Sequence, residues 1–125
     1  MLEGYACVLC VETGADLSAL QNCLKASEEM LASGDSSRYS DMNQSFHYEI
    51  WNASGNEKLV TMLSELWNGL SMGVQTTEME YAKKSFAEHK KIYEAIAAKD
   101  AETARAQMEK HIRRSLEDML TRYRK

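Results

Sequence analysis

Asp41-Met42-Asn43-Gln44-Ser45-Phe46-His47-Tyr48-Glu49-Ile50-Trp51-Asn52-Ala53-Ser54-Gly55-Asn56 reads as one helix and the signal that ends it. Phe46, Ile50 and Ala53 recur at spacings of four and three, which makes one apolar stripe. Asn43 and His47 stand four apart beside that stripe, so an amide oxygen and an imidazole point the same way from successive turns. Ser54-Gly55-Asn56 closes the helix: glycine is free to take positive φ, and Asn56 can cap whatever follows. A histidine on the buried side, with a second polar group one turn before it, is what a metal site or a small polar cavity needs from one helix. The chain has three histidines. Where His89 and His111 fall decides what the first one means.

Working outward, the composition favours helices throughout. A chain of 125 residues fits one domain with one core, here taken as residues 1–125. It has no proline and only six glycines, so little interrupts long helices. Eight methionines against two phenylalanines suit an adaptable helical core better than stacked sheets. The net charge of −4 and the pI near 5.4 argue against a nucleic-acid footprint on this chain. No apolar run approaches the roughly 20 residues of a membrane helix, and no signal peptide is evident. Three cysteines is the odd count expected where thiols stay reduced. These features predict an all-α, cytoplasmic domain.

Leu2, Tyr5, Ala6, Leu9 and Cys10 already follow a helical stripe, so a first helix, truncated at its start, is expected from the outset. Cys7 and Cys10 form a CxxC, but no second pair completes a zinc site and their neighbours Ala6, Val8, Leu9 and Val11 are apolar. Buried small hydrophobes are the better reading of that pair. Thr13-Gly14-Ala15-Asp16 breaks the helix, with Asp16 as the expected N-cap of a second one carrying Leu17, Leu20, Cys23, Leu24 and Leu31. That helix ends at Ser33-Gly34-Asp35, and the third runs from about Ser37 to Ala53. The fourth follows Asn56 and shows Leu59, Met62, Leu63, Leu66, Trp67 and Leu70 on its apolar side. Gly73 to Ser85 is weakly patterned and reads as a frayed end plus a loop. A fifth helix over about Ser85 to Ala98 puts His89 in a stripe with Phe86, Tyr93 and Ile96, and Lys99-Asp100 makes a turn. The last helix, Ala101 to near Arg124, lines up Ala104, Met108, His111, Ser115 and Met119.

All three histidines thus fall on apolar faces of three different helices. Taken singly, each is more often a satisfied core residue than a ligand. Taken together, and with Asn43 one turn before His47, they describe three neutral imidazoles that suit zinc, nickel, copper or iron, with coordination positions left open.

Several short patterns then carry a resemblance. Leu2-Glu3-Gly4-Tyr5-Ala6, Asn43-x-x-Phe46-His47, Ala53-Ser54-Gly55-Asn56, Glu88-His89-x-x-Ile92 and Met108-x-x-His111 follow in order along nearly the whole chain. In this the chain resembles the FCD domain, the C-terminal ligand-sensing domain of GntR-type bacterial transcription regulators of the FadR subfamily. The resemblance implies an antiparallel bundle of about six helices whose core holds a divalent metal, with a small carboxylate effector beside it. Carried over position by position, the metal ligands would be Asn43, His47, His89 and His111, and zinc or nickel heads the candidate ions.

The family usually has aspartate where Asn43 stands, and an arginine one turn before the glutamate matched by Glu3. This chain begins too late to hold that arginine. It also lacks the winged helix-turn-helix through which such regulators bind DNA. The basic residues Arg113, Arg114, Arg122, Arg124 and Lys125 do not replace that domain, because cations near a helix C-terminus answer its dipole. The expected function is therefore sensing, not catalysis: a metal-dependent, small-organic-acid-binding domain that touches DNA only through the missing part. The surplus apolar positions of the first and fourth helices add an expected homodimer. The rivals are a small metal-dependent enzyme using the same three histidines, and a metal-free helical interaction module.

Overall fold

In a computed structural model of the chain, residues 2–69 and 79–123 are described, with side chains described over 2–66 and 79–117. Those residues form six helices and no strand: α1 Leu2–Thr13, α2 Ser18–Ala32, α3 Tyr39–Ala53, α4 Glu57–Gly69, α5 Met79–Ala97 and α6 Ala101–Tyr123. The all-α bundle expected from the proline-free sequence is the observed one. Leu70, the stretch from Gly73 to residue 78 and the side chains of Trp67 and Met119 lie outside the described residues.

Helix ends follow the local chemistry. Gly55 turns the chain out of α3 at φ 75°, and Asn56 Oδ1 then accepts the Leu59 N–H at 3.1 Å, capping α4. Asp100 does the same for α6, accepting the Thr103 N–H at 3.1 Å. Asp16 does not occupy the N-cap of α2. Leu17 does, and the Asp16 carboxylate instead accepts from the Ser18 backbone at 2.9 Å and from its hydroxyl at 2.6 Å.

The bundle packs α6 against α1 and α5, and α2 against α3 and α5, and α3, α5 and α6 each send a buried histidine to one cluster. Its core joins Ala6, Cys7 and Cys10 of α1 to Leu20 and Leu24 of α2, Phe46 and Ile50 of α3, and Ile92, Ile96, Ala104 and Met108 of the last two helices. Helix α1 lies close on α6 because Gly4 has no side chain: a Cβ there would stand 2.9 Å from Arg105 Cγ.

Four details depart from the sequence expectation. Helix α5 begins at Met79, not near Ser85, and buries Tyr81, Ala82 and Ser85. Ser85 breaks the apolar rhythm because it faces inward to a hydroxyl partner, which is why the pattern looked weak. The stripe of α5 is also rotated, with Ile92 fully buried and Phe86 and Tyr93 at its margin. On α1 the inward positions are Glu3, Gly4, Ala6, Cys7 and Cys10, while Tyr5 is exposed. On α4 Leu59 and Leu63 are buried, but Met62 and Leu66 face outward.

Candidate metal centre

Tyr39, Asn43, His47 and Trp51 stand four apart down α3, and all four are buried. A four-residue spacing keeps them on one ridge of the helix. That ridge faces His89 of α5 and His111 of α6, which the bundle also buries. One nitrogen from each of His47, His89 and His111 lies within 4.8 Å of the other two. Each imidazole is 2% exposed or less, and Asn43 is 3% exposed.

Each ring is held from behind through its Nδ1. His47 Nδ1 lies 3.3 Å from Glu3 Oε1, and the same oxygen accepts the Trp51 indole N–H at 2.7 Å. His111 Nδ1 lies 2.6 Å from Glu88 Oε1, and Arg114 grips both oxygens of that carboxylate. Tyr39 donates its hydroxyl proton to Ser85 at 2.7 Å, which leaves its oxygen to accept from His89 Nδ1 at 3.4 Å. An acceptor opposite Nδ1 fixes the proton there in the neutral ring and leaves Nε2 with a lone pair. On this assignment all three Nε2 lone pairs face the middle of the bundle.

The middle is consequently short of positive charge. His47 Nε2 and His111 Nε2 approach to 3.2 Å, a distance at which two lone pairs repel unless a proton or cation lies between them. Two nitrogens bound to one ion at about 2.0–2.1 Å would be roughly 3.0–3.4 Å apart, depending on coordination geometry. His89 Nε2 and Asn43 Oδ1 are buried with no hydrogen-bond partner among the described residues. Buried polar atoms are nearly always satisfied, so two orphans on the residues of one cluster point to a missing partner. Three buried imidazole nitrogens within reach of one another fit a transition ion, and Asn43 stands one turn before His47 on α3. The three histidines could form a metal site.

Electrostatics favour neutral imidazoles at His89 and His111. Complete burial, then the neighbouring His111 and His47, drives the His89 imidazole well below its ordinary pKa. Burial also lowers His111, against the raising pull of its hydrogen bond to Glu88. Partial burial pushes the Glu88 carboxyl up, but hydrogen bonds from His111 and Arg114 outweigh it and hold the group below the usual range.

Phe46 stacks on His89 with ring centroids 3.9 Å apart and planes 9° from parallel, closing the site on the side of the apolar core. A surface cleft of about 460 Å³ opens on the other side of α3, between it and α4. Its lining contains no histidine.

Sequence reasoning put the three histidines and Asn43 on inward faces, and all four are buried. It missed the residues behind them. Glu88, which takes His111, and Glu3 entered only through family patterns, and Tyr39 was not singled out. The one signal available for α3 was the spacing of Tyr39, Asn43, His47 and Trp51.

Residues 1–114 match the model of a family described as the FCD domain. The HTH-type transcriptional regulator LutR of Bacillus subtilis (strain 168) is 32% identical over 122 residues, covering 89% of this chain and 52% of that protein. The chain thus spans about half the length of the curated relative it matches.

Proposed function

This chain belongs to the FCD domain family, a family of regulatory and not enzymatic domains, and on that premise we propose that it is a metal-dependent sensor of small organic acids. The observation that carries the reading is the unsatisfied buried His89 Nε2 in a three-histidine cluster whose other two rings bring their Nε2 atoms to 3.2 Å, with Asn43 Oδ1, one turn before His47, also unsatisfied. His47, His89, His111 and Asn43 would hold one divalent transition metal, zinc or nickel. The ion would supply a Lewis-acidic positive charge at which a carboxylate can replace water. The chain's own part is to fix the imidazoles, to keep solvent from the cluster and to leave coordination positions open.

All four inner donors are neutral, so the open positions favour an anion over water. Metal and carboxylate therefore bind with reciprocal positive coupling. The bound pair stabilises one arrangement of α1, α3, α5 and α6, which a longer regulator can read as a population shift. DNA contact belongs to a helix-turn-helix outside this chain, in keeping with the acidic balance here and with the name of the relative. A cytoplasmic setting goes with that role; no described helix is long and apolar enough to cross a membrane. The exposed Tyr5 of α1 and Met62 and Leu66 of α4 support a homodimer through those two helices.

The test is metal content and its effect on melting. Elemental analysis or native mass spectrometry is expected to find one transition ion per chain. A ligand that binds only the folded state adds about 2.7 kcal/mol at a hundredfold excess over its Kd, so a chelator should lower the melting temperature by several degrees. Protein that carries no metal, takes none up and melts identically with and without chelator overturns the reading.

A further inference from the structure

Two carboxylates stand behind the histidine cluster, and among the described residues only one of them has a lysine or arginine of its own. Glu88 is gripped by Arg114. Glu3 is 7% exposed, and its partners are the indole of Trp51 and the imidazole of His47. Among the described residues no lysine or arginine lies against it. A carboxylate out of water with only neutral donors is poorly compensated, and side chains of this kind are rarely buried unless a positive charge is near. The one place where a cation would answer Glu3 is across the His47 ring, where Nε2 faces the Nε2 of His111.

Resting on the metal-centre reading above, we infer that Glu3 is the counter-charge and positioning residue of that centre, acting through His47. Its carboxylate keeps the proton on Nδ1, aims the Nε2 lone pair at the ion, and supplies the negative charge that Asn43 and the imidazoles lack. An acidic partner on the far nitrogen of a metal-bound histidine raises its basicity and fixes its orientation. Charge matching then sets the ligand. With Glu88 matched by Arg114, Glu3 leaves one unit of a divalent ion's charge unmatched, and a single carboxylate of a bound acid supplies it. Glu3 also belongs to α1 while the donors belong to α3, α5 and α6, so occupancy of the centre is tied to the seat of α1.

Glu3→Gln separates charge from structure, because the amide oxygen can still accept from Trp51 and His47. Metal affinity is read by competition of zinc with a chromophoric chelator, in wild type, Glu3→Gln and Glu3→Asp, with and without acetate. Glu3→Gln is expected to weaken zinc binding by about 10–100-fold, the range for removing such an outer partner. Tryptophan fluorescence and far-UV circular dichroism should stay as in wild type, and acetate should restore more of the affinity than it adds to wild type. Glu3→Asp, which keeps the charge, should recover part of the loss. Nitrogen NMR of His47 in the zinc-loaded wild type gives a readout independent of any variant: a proton on Nδ1 and metal on Nε2 are expected. Zinc on Nδ1, or a Glu3→Gln protein that binds zinc as wild type does, overturns the inference and leaves the metal centre standing. A wild type that takes up no metal overturns the premise and the inference together.

Discussion

Cys7 and Cys10 on α1 form the spacing most often associated with metal, whereas His47, His89 and His111 are spread over three helices with no local spacing at all. In the folded chain their standing is reversed. Both thiols are buried among Ala6, Leu20, Ile50 and their neighbours, and Cys10 Sγ donates to the Ile50 carbonyl at 3.2 Å. Burial pushes Cys10 up to about 12, and Cys7, with Cys10 and Glu3 adding to the effect of burial, well above its ordinary value. A thiol held protonated is a poor ligand and a poor nucleophile. The histidines have the opposite surroundings, with an acceptor behind each Nδ1 and, at His89, an Nε2 with no partner among the described residues. What stands behind a donor says more about metal than the donor's spacing along the chain.

The largest effect expected from this contrast is chemical. At pH 8 a shift from 9 to about 12 leaves about a thousandfold less thiolate on Cys10 than on a free thiol, before steric shielding is counted. Native protein should therefore leave Cys7 and Cys10 unlabelled by iodoacetamide, while Cys23, raised to about 11, reacts slowly. All three should label at once in denaturant. Rapid native labelling of Cys7 or Cys10, mapped by mass spectrometry, would break the contrast by making α1 a reactive site.

A pair of substitutions sharpens it. His89→Leu removes a central donor, and zinc affinity should fall by more than about a hundredfold, beyond the range for outer partners. Tyr39 keeps Ser85 as its partner, so the metal-free stability should change by less than about 1.5 kcal/mol, as for volume-conserving core swaps. Cys10→Ala should show the mirror image: zinc affinity unchanged and stability lower by about 1 kcal/mol, from a small cavity. Titrations and melts that give both proteins the same profile would erase the distinction between the two clusters.

The smallest effect concerns Asn43. An aspartate there would place a charge in contact with the ion, which Glu3 supplies only through a ring. Asn43→Asp should tighten zinc binding about tenfold in the absence of acid, at roughly 1.4 kcal/mol, and reduce the gain from added lactate or acetate. Calorimetric titrations that find the same acid dependence in both proteins would remove Asn43 from the ligand set.

Much of this was readable from residues in order. Gly55-Asn56 and Lys99-Asp100 mark helix ends through local backbone and capping chemistry, and the inward placing of His47 and His111 follows from period alone. Glu3 was not legible, because its partners lie 44 and 48 residues away and a glutamate beside a glycine on a short helix looks like a solvated position. The role of Glu88 was hidden for the same reason: its partners His111 and Arg114 are 23 and 26 residues further on. The early start of α5 was hidden by Ser85, whose inward hydroxyl is explained only by Tyr39, 46 residues upstream. Helix periods record which side faces in; they do not record which polar residue meets which.

The spread of the histidines over α3, α5 and α6 has a consequence for how such a protein is made. His47 and His111 are 64 residues apart, so no ion can be gripped by all three rings until the ribosome has released most of α6. Before then the earlier helices carry a half-built polar pocket with nothing to fill it. Once the last ring arrives, an ion closes long loops at a cost that grows only slowly with their length. On the proposed reading, loading with metal follows the making of α6, and the occupied centre would act as a clasp joining that later-made helix to α3.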